Sequence, residues 1–299
     1  MFVGLGLGLG VTPPSMAAKA LPTITVSGGL ITSFSRDGVD YNQITFHQSG
    51  SWLVEGVAAL AAEIGWKRAL GAGAATGARS TNSIYLPGPG GAGGLIDDDP
   101  IGPLVDGTYT VEIGAGGPAI TTAVNIANQG SDSTLSHPGG LVETAIGGGY
   151  GAISGSYANA GPGGSGGGAR AQTNATGTNT NFGTGVDGQG YRGGTANSSS
   201  TAGNAASGGS GGAGGPGGNA AAGVAGAAGP GVELDWLAVP TIVCAGERGI
   251  LLSESGIASE DKTLGSGSRG ALSANVGKAG DGFLFVRVRA DQVNVRMAA

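Results

Sequence analysis

A chain of 299 residues with 66 glycines, 13 prolines and only 11% charged residues sits where low-complexity sequence begins, yet it lacks the high net charge that keeps such sequences unfolded. Its formal charge of −6 excludes a phosphate-binding surface, which needs clustered Lys and Arg, so no nucleic-acid partner is expected. A lone cysteine, Cys244, excludes an intrachain disulfide, and no apolar run is long enough to insert into a membrane.

The opening MFVGLGLGLGVTPPSMAAKA has an apolar run but no basic n-region of a secretory signal. Leu5, Leu7 and Leu9 alternate on glycine, which predicts an extended attachment arm over 1–21. Residues 22–120 predict a β-rich region: LPTITVS and YNQITFHQSGSWLVEGV are β-like runs divided by turns. The Ala-rich stretch 58–77 favours the start of a short helix, stopped by Gly65 and the glycines from 71 onward. GTYTVEI alternates Tyr109, Val111 and Ile113 against polar neighbours, the pattern of a half-buried strand, and FLFVRVRADQVNVRM from 283 predicts a closing strand and tail over 283–299.

Between these lies a glycine-rich region, 121–282. From 151 to 230 its large apolar residues are only Ile153, Tyr157, Phe182, Val186, Tyr191 and Val224, too few for a side-chain core. It has a period instead: Gly208, Gly211, Gly214, Gly217, Gly223, Gly226 and Gly229 fall in one three-residue register, interrupted by Ala220, and Gly161, Gly164 and Gly167 repeat it. Three residues per turn is the polyproline II repeat, which makes no hydrogen bonds within itself. Its amides must pair sideways, and glycine on facing edges lets neighbouring backbones approach. The predicted fold class is therefore all-β with a glycine-rich polyglycine-II (PPII-like) helical sandwich and an N-terminal extended arm. A flexible linker is the bland reading of the same composition.

Chemical motifs are weak. GAGAATG places Gly71, Gly73 and Gly77 at a nucleotide-loop spacing, but WKRAL before it does not read as the required strand. Asp97, Asp98 and Asp99 alternate sides on an extended chain and read as a solvated turn rather than a calcium site. His47 and His137 show no catalytic partners in the sequence. No enzyme activity, metal or cofactor is expected. Specific contacts fall to side chains between the glycine runs: Tyr150, Tyr157, Phe182 and Tyr191 offer faces for stacking on sugars, and Arg170, Asn181 and Arg192 offer hydrogen bonds.

Three segments carry a likeness: SGSWLVEGV (49–57), DGTYTVEIGAGG (106–117) and GDGFLFVRV (280–288), with intermediate steps at 130–151 and 227–249. In this order they resemble the glycine-rich domain of bacteriophage tail-fibre and receptor-binding proteins. Glu55 stands where that pattern has proline, and AGERGILLSESG is poorer in glycine. The resemblance implies a virion fibre or adhesin on the particle exterior. Its arm would join other virion proteins, and its loops would bind a bacterial surface glycan or outer-membrane protein; a homo-oligomer is compatible with this. The alternatives are a virion decoration or head-fibre protein without a receptor, and an ice-binding glycine-rich protein, which would want regular Thr or Ala rows.

Overall fold

The computed structural model describes residues 20–57, 64–82, 84–98, 103–121, 127–153, 158–201, 203–254, 256–260, 262, 264–272 and 274–299. Among them the chain is all-β, with nineteen strands, a single 3-10 turn at Leu252–Glu254 and no α-helix. The arm at Leu5, Leu7 and Leu9 lies outside the described residues, as does Tyr157.

One sheet runs β11 (Val142–Ala145), β10 (Ser133–Ser136), β9 (Gly107–Glu112), β4 (Gly50–Glu55), β1 (Thr23–Ser27), β19 (Asn294–Met297), all neighbours antiparallel except the parallel pair β1 and β19. The other is wholly antiparallel and runs β2 (Leu30–Arg36), β3 (Val39–Phe46), β18 (Phe283–Arg289), β5 (Trp66–Gly71), β8 (Leu95–Asp98). Period-two alternation gives each sheet an apolar inner face. Ile24, Trp52, Val54 and Tyr109 of the first sheet thereby pack on Ile44, Phe46, Leu70 and Val286 of the second. Trp52 and Tyr109 stack at the centre, ring centroids 4.8 Å apart.

The half-buried strand expected at 107–113 is β9, with Tyr109 and Val111 buried. The closing segment from 283 is two strands, β18 and β19, in different sheets. The helix expected to begin within 58–77 gives way, from Trp66 on, to strand β5, and residues 58–63 lie outside the described set. WKRALG is thus a strand after all. It is buried on both faces, Leu70 in the sandwich and Ala69 in a second cluster with Trp236, Phe283 and Phe285, so the alternation that marks a half-exposed strand is absent. No helix follows it, so the nucleotide-loop geometry does not form.

Short two-stranded ladders decorate the remainder: β6 (Arg79–Ser80) with β17 (Ala271–Leu272), β7 (Tyr85–Leu86) with β12 (Ala171–Gln172), β13 (Gly177–Asn179) with β14 (Ala196–Ser198), and β15 (Val232–Leu234) with β16 (Thr241–Val243).

At one end of the sandwich six strands continue as glycine-rich segments, and the hydrogen-bond repeat changes from two to three. Gly71 pairs with Leu95 inside the sheet; beyond it Ala72, Ala75 and Ala78 donate to the carbonyls of Gly94, Gly91 and Gly88 in the same register. The other ladders pass through likewise: Ala74 donates to Gly280, Ser131 to Ala115 and Gly130 to Gly148, extending β5–β18, β9–β10 and β10–β11. Intervening amides face other neighbours, Gly73 and Thr76 donating to Ser131 and Asn128. The glycine segments therefore begin at residue 72, and β10 and β11 lie between them in sequence.

The expected glycine register behaves the same way. Gly208 and Gly211 donate to Ala169 and Gly166, Gly226 and Gly229 to Ser207 and Ser210, and Gly217 and Ala220 to Arg192 and Thr195, so Ala220 keeps the ladder where the glycine pattern breaks. A Cβ on Gly209 would lie under 3.0 Å from the Ala227 carbonyl, a separation that side chains do not tolerate. Gly223 alone of that register leaves it, at φ 68° in a turn closed by mutual bonds between Ala221 and Val224. Buried Ser207, Ser210 and Ser268 act as plugs, their hydroxyls accepting from Ile250, Glu247 and Gly77 amides.

Candidate functional site

The side chains singled out between glycine runs are gathered along neighbouring lattice segments. Ala160 donates to the carbonyl of Asn181, Gly161 to that of Tyr150, and Gly193 to that of Gly183, which brings 150, 158–161, 181–183 and 191–193 side by side. The arrangement sorts the expected residues into inward and outward groups.

Arg170 is turned inward and is 9% exposed. Its Nε donates to the Ala158 carbonyl at 3.3 Å and its guanidinium lies 4.8 Å from the Tyr85 ring centre. Burial lowers its pKa, and Tyr85 partly offsets this. Asn181 donates from its amide to the same Ala158 carbonyl, 3.2 Å away. Tyr150 packs against the buried cluster of Ala78, Ala127 and Ile153, and its ring lies where a Cβ on Gly161 would be. These three hold the lattice edge. Outward lie Tyr191, 49% exposed, and Arg192, whose guanidinium sits 4.8 Å above the ring of half-buried Phe182, a cation–π pair that fixes both planes. The backbone behind them is anchored, Tyr191 donating to Gly212 and Gly217 to Arg192.

A second polar cluster was illegible in the sequence. Arg68 on β5 reaches across the sandwich to Glu143 on β11, Nε to Oε1 2.9 Å, with the second guanidinium–carboxylate contact closing the fork. His137 Nε2 lies 2.5 Å from Glu143 Oε1, with its ring edge-on to Tyr109. Arg68 is fully buried. The cluster ties one sheet to the other, and its residues sit amid Trp66 and Tyr109 rather than in an open cleft. The sequence hinted at it only through Arg68, placed inside strand β5 between Lys67 and the apolar pair Ala69 and Leu70.

Asp97 lies on β8 and accepts from the Trp236 indole at 3.2 Å. Among the described residues no three His, Cys, Asp or Glu side chains gather to hold a metal ion. Burial drives the Cys244 thiol pKa up, leaving it without thiolate character.

Continuous ladders, backbone-to-backbone packing and closely paired glycines extend over most of the chain, and residues 63–289 match the family model described as a glycine-rich domain. The chain belongs to that family. Its glycine-rich domain thus includes the sandwich strands β5 to β18 as well as the lattice between them, while β1 to β4 precede it and β19 follows. No curated protein matches the chain.

Proposed function

We propose that the protein is a bacteriophage fibre or adhesin subunit, a non-catalytic rigid scaffold that presents Tyr191, Arg192 and Phe182 to a bacterial surface glycan or outer-membrane protein. The observation that carries this reading is the unbroken passage of the sandwich ladders into the glycine lattice, which makes a stiff body whose few outward side chains are held by anchored backbone. Such a scaffold suits recognition, because ordering is complete before binding and little entropy remains to be lost. The period-three hydrogen bonding supports a polyglycine II winding of the lattice. The segment around Leu5, Leu7 and Leu9 would add a strand to another virion protein, and the whole would sit on the particle exterior. The sequence likeness to tail-fibre domains supports the same assignment.

Tyr191→Ala changes an exposed side chain and should leave the melting temperature unchanged, whereas Arg192→Glu gives up the cation–π contact with Phe182 and should lower it only slightly. Adsorption of the purified chain to cells of the phage's host should be lost in both. A protein that binds neither host cells nor their extracted glycans would instead be a virion decoration protein, and one that incorporates normally without residues 2–20 would have no attachment arm.

A further inference from the structure

Away from the Tyr191–Arg192 edge, where the lattice meets the second sheet, an open cleft of about 430 Å³ is lined by His47, Lys262, Leu264, Asp281 and Gly282. That size lies at the small end of ligand pockets, which run from about 300 to 1,000 Å³. Its wall is built from strained chain. Leu264 and Cys244 both hold positive φ, 50° and 51°, and the Cys244 amide donates to the Leu264 carbonyl at 3.0 Å. Leucine in the left-handed region is uncommon, and strain of this kind gathers at ligand sites. The strained turn seats the Leu264 side chain against the cluster of Cys244, Phe283 and Phe285, leaving it partly exposed to the cleft.

Among the described residues, the charged side chains lining the cleft are paired. Lys262 Nζ lies 2.7 Å from Glu247, and Asp281 lies 2.5 Å from Lys278 Nζ while its other oxygen accepts from the Gly116 amide at 2.8 Å. Neither an anion nor a cation is drawn in, yet hydrogen-bonding capacity remains, since a carboxylate has about four acceptor positions and these two bonds fill two. His47 is exposed just beyond β3, its ring edge-on to Phe285 at 6.1 Å, which leaves its nitrogens able to donate or accept.

We propose that this cleft binds a single neutral sugar residue. A pyranose ring has one face of C–H groups and a rim of hydroxyls. Leu264 meets the first, and Asp281, His47 and Lys262 supply acceptors and donors for the second. The site is separate from the Tyr191 edge and does not depend on the virion reading.

The test is saturation-transfer NMR on the full chain with methyl α-glucoside, methyl β-galactoside and N-acetylglucosamine as probes, with acetate and methylammonium as charged controls. At least one neutral sugar should give transfer and neither ion should. His47→Ala alters an exposed side chain, and Asp281→Asn keeps the acceptor for Gly116. Each should weaken sugar binding about tenfold, the loss of one hydrogen bond, whereas Val224→Ser, in the exposed turn bridged by Ala221 and Val224, should leave it unchanged. Absence of transfer from every sugar overturns the proposal, as does binding indifferent to both cleft variants. Sugar binding lost only in Arg192→Glu overturns the cleft and leaves the Tyr191 edge as the glycan site.

Discussion

The sandwich and the glycine lattice share strands, registers and neighbours, yet they fill space in opposite ways. In the sandwich the two sheets stand apart, about 10 Å in such packings, and Trp52, Tyr109 and Phe46 occupy the gap. A few residues further along the same chains the gap is closed: Ala279 and Gly282, leading into β18, donate directly to Gly117 and Gly114, which follow β9, and Gly73 after β5 donates to Ser131 before β10. One end has a core of side chains and the other a core of backbone. Cohesion shifts accordingly, from apolar burial worth about 1.5–3 kcal/mol per large side chain to many hydrogen bonds worth about 1 kcal/mol each. The sandwich should fear deletion of atoms, and the lattice their addition.

The largest effect tests that contrast directly. Gly209→Val would press a branched side chain into the Ala227 carbonyl and separate Gly209 from Gly218, to which it donates. Overpacking and several unpaired buried amides together should cost about 5 kcal/mol, enough to abolish the lattice's share of a thermal unfolding transition. Gly65→Ala adds the same first carbon, with only the Gln292 side chain at 3.9 Å from it, and should leave the melting temperature unchanged. Equal effects from the two would mean the glycine segments are not closely packed in solution.

Next comes the sandwich's polar tie. Arg68→Met strands Glu143 and His137 between the sheets and should cost about 3–5 kcal/mol, read by denaturant unfolding. The triple change Arg68→Met, Glu143→Leu, His137→Phe should recover most of it, because an apolar replacement has no desolvated charge left to satisfy. A triple variant no more stable than the single one would assign the cluster a role beyond joining the sheets.

A smaller loss should follow removal of one lattice plug. Ser207→Ala leaves the Ile250 amide, now 2.7 Å from the Ser207 hydroxyl, without an acceptor, at about 1–3 kcal/mol. Its signature is local: hydrogen exchange should quicken at Ile250 and its neighbours while β1, β4 and β9 keep their protection.

What could be read from the sequence follows the same division. Strands with one wet face announced themselves, as at Tyr109 and Val111, because alternation survives burial on one side. Strand β5 did not, since Trp66, Ala69 and Leu70 bury both faces and an internal Arg68 completes its partner only through residue 143. The three-residue glycine register pointed to lateral pairing, but it could not show which segments pair, because a glycine carries no mark of its neighbour. Ala72, Ala75 and Ala78 join the lattice just as well, having their own amides turned to Gly94, Gly91 and Gly88. Among the site residues, the outward Tyr191 and the inward Arg170 looked alike in sequence, and only the Ala158 carbonyl and the Tyr85 ring separate their roles.

The smallest expected effect compares two carboxylates that are each held by two basic side chains. Glu143 lies deep in the sandwich, whereas Glu254, in the turn Leu252–Glu254, is clasped by Arg248 and Arg269 at the lattice surface. Partial burial alone would raise the Glu254 pKa, but the Arg248 hydrogen bond, the Leu251 amide and the Arg269 charge outweigh it, so the group titrates below its ordinary value of 4.5. A depressed carboxylate stabilises the fold fully above its unfolded pKa and loses that contribution as pH falls through the folded one. Because Arg248 is about half exposed, water and salt screen the clasp, and it should contribute about 0.5–1 kcal/mol. Glu254→Gln should therefore lower stability slightly at pH 7, and the deficit should vanish as acid takes both proteins below the folded pKa of Glu254. Raising salt should shrink the deficit at pH 7, as expected of a surface clasp. A deficit that persists undiminished in acid would instead place the effect in the glutamine NH2, which cannot accept from Arg248 or Arg269 as the carboxylate oxygen did.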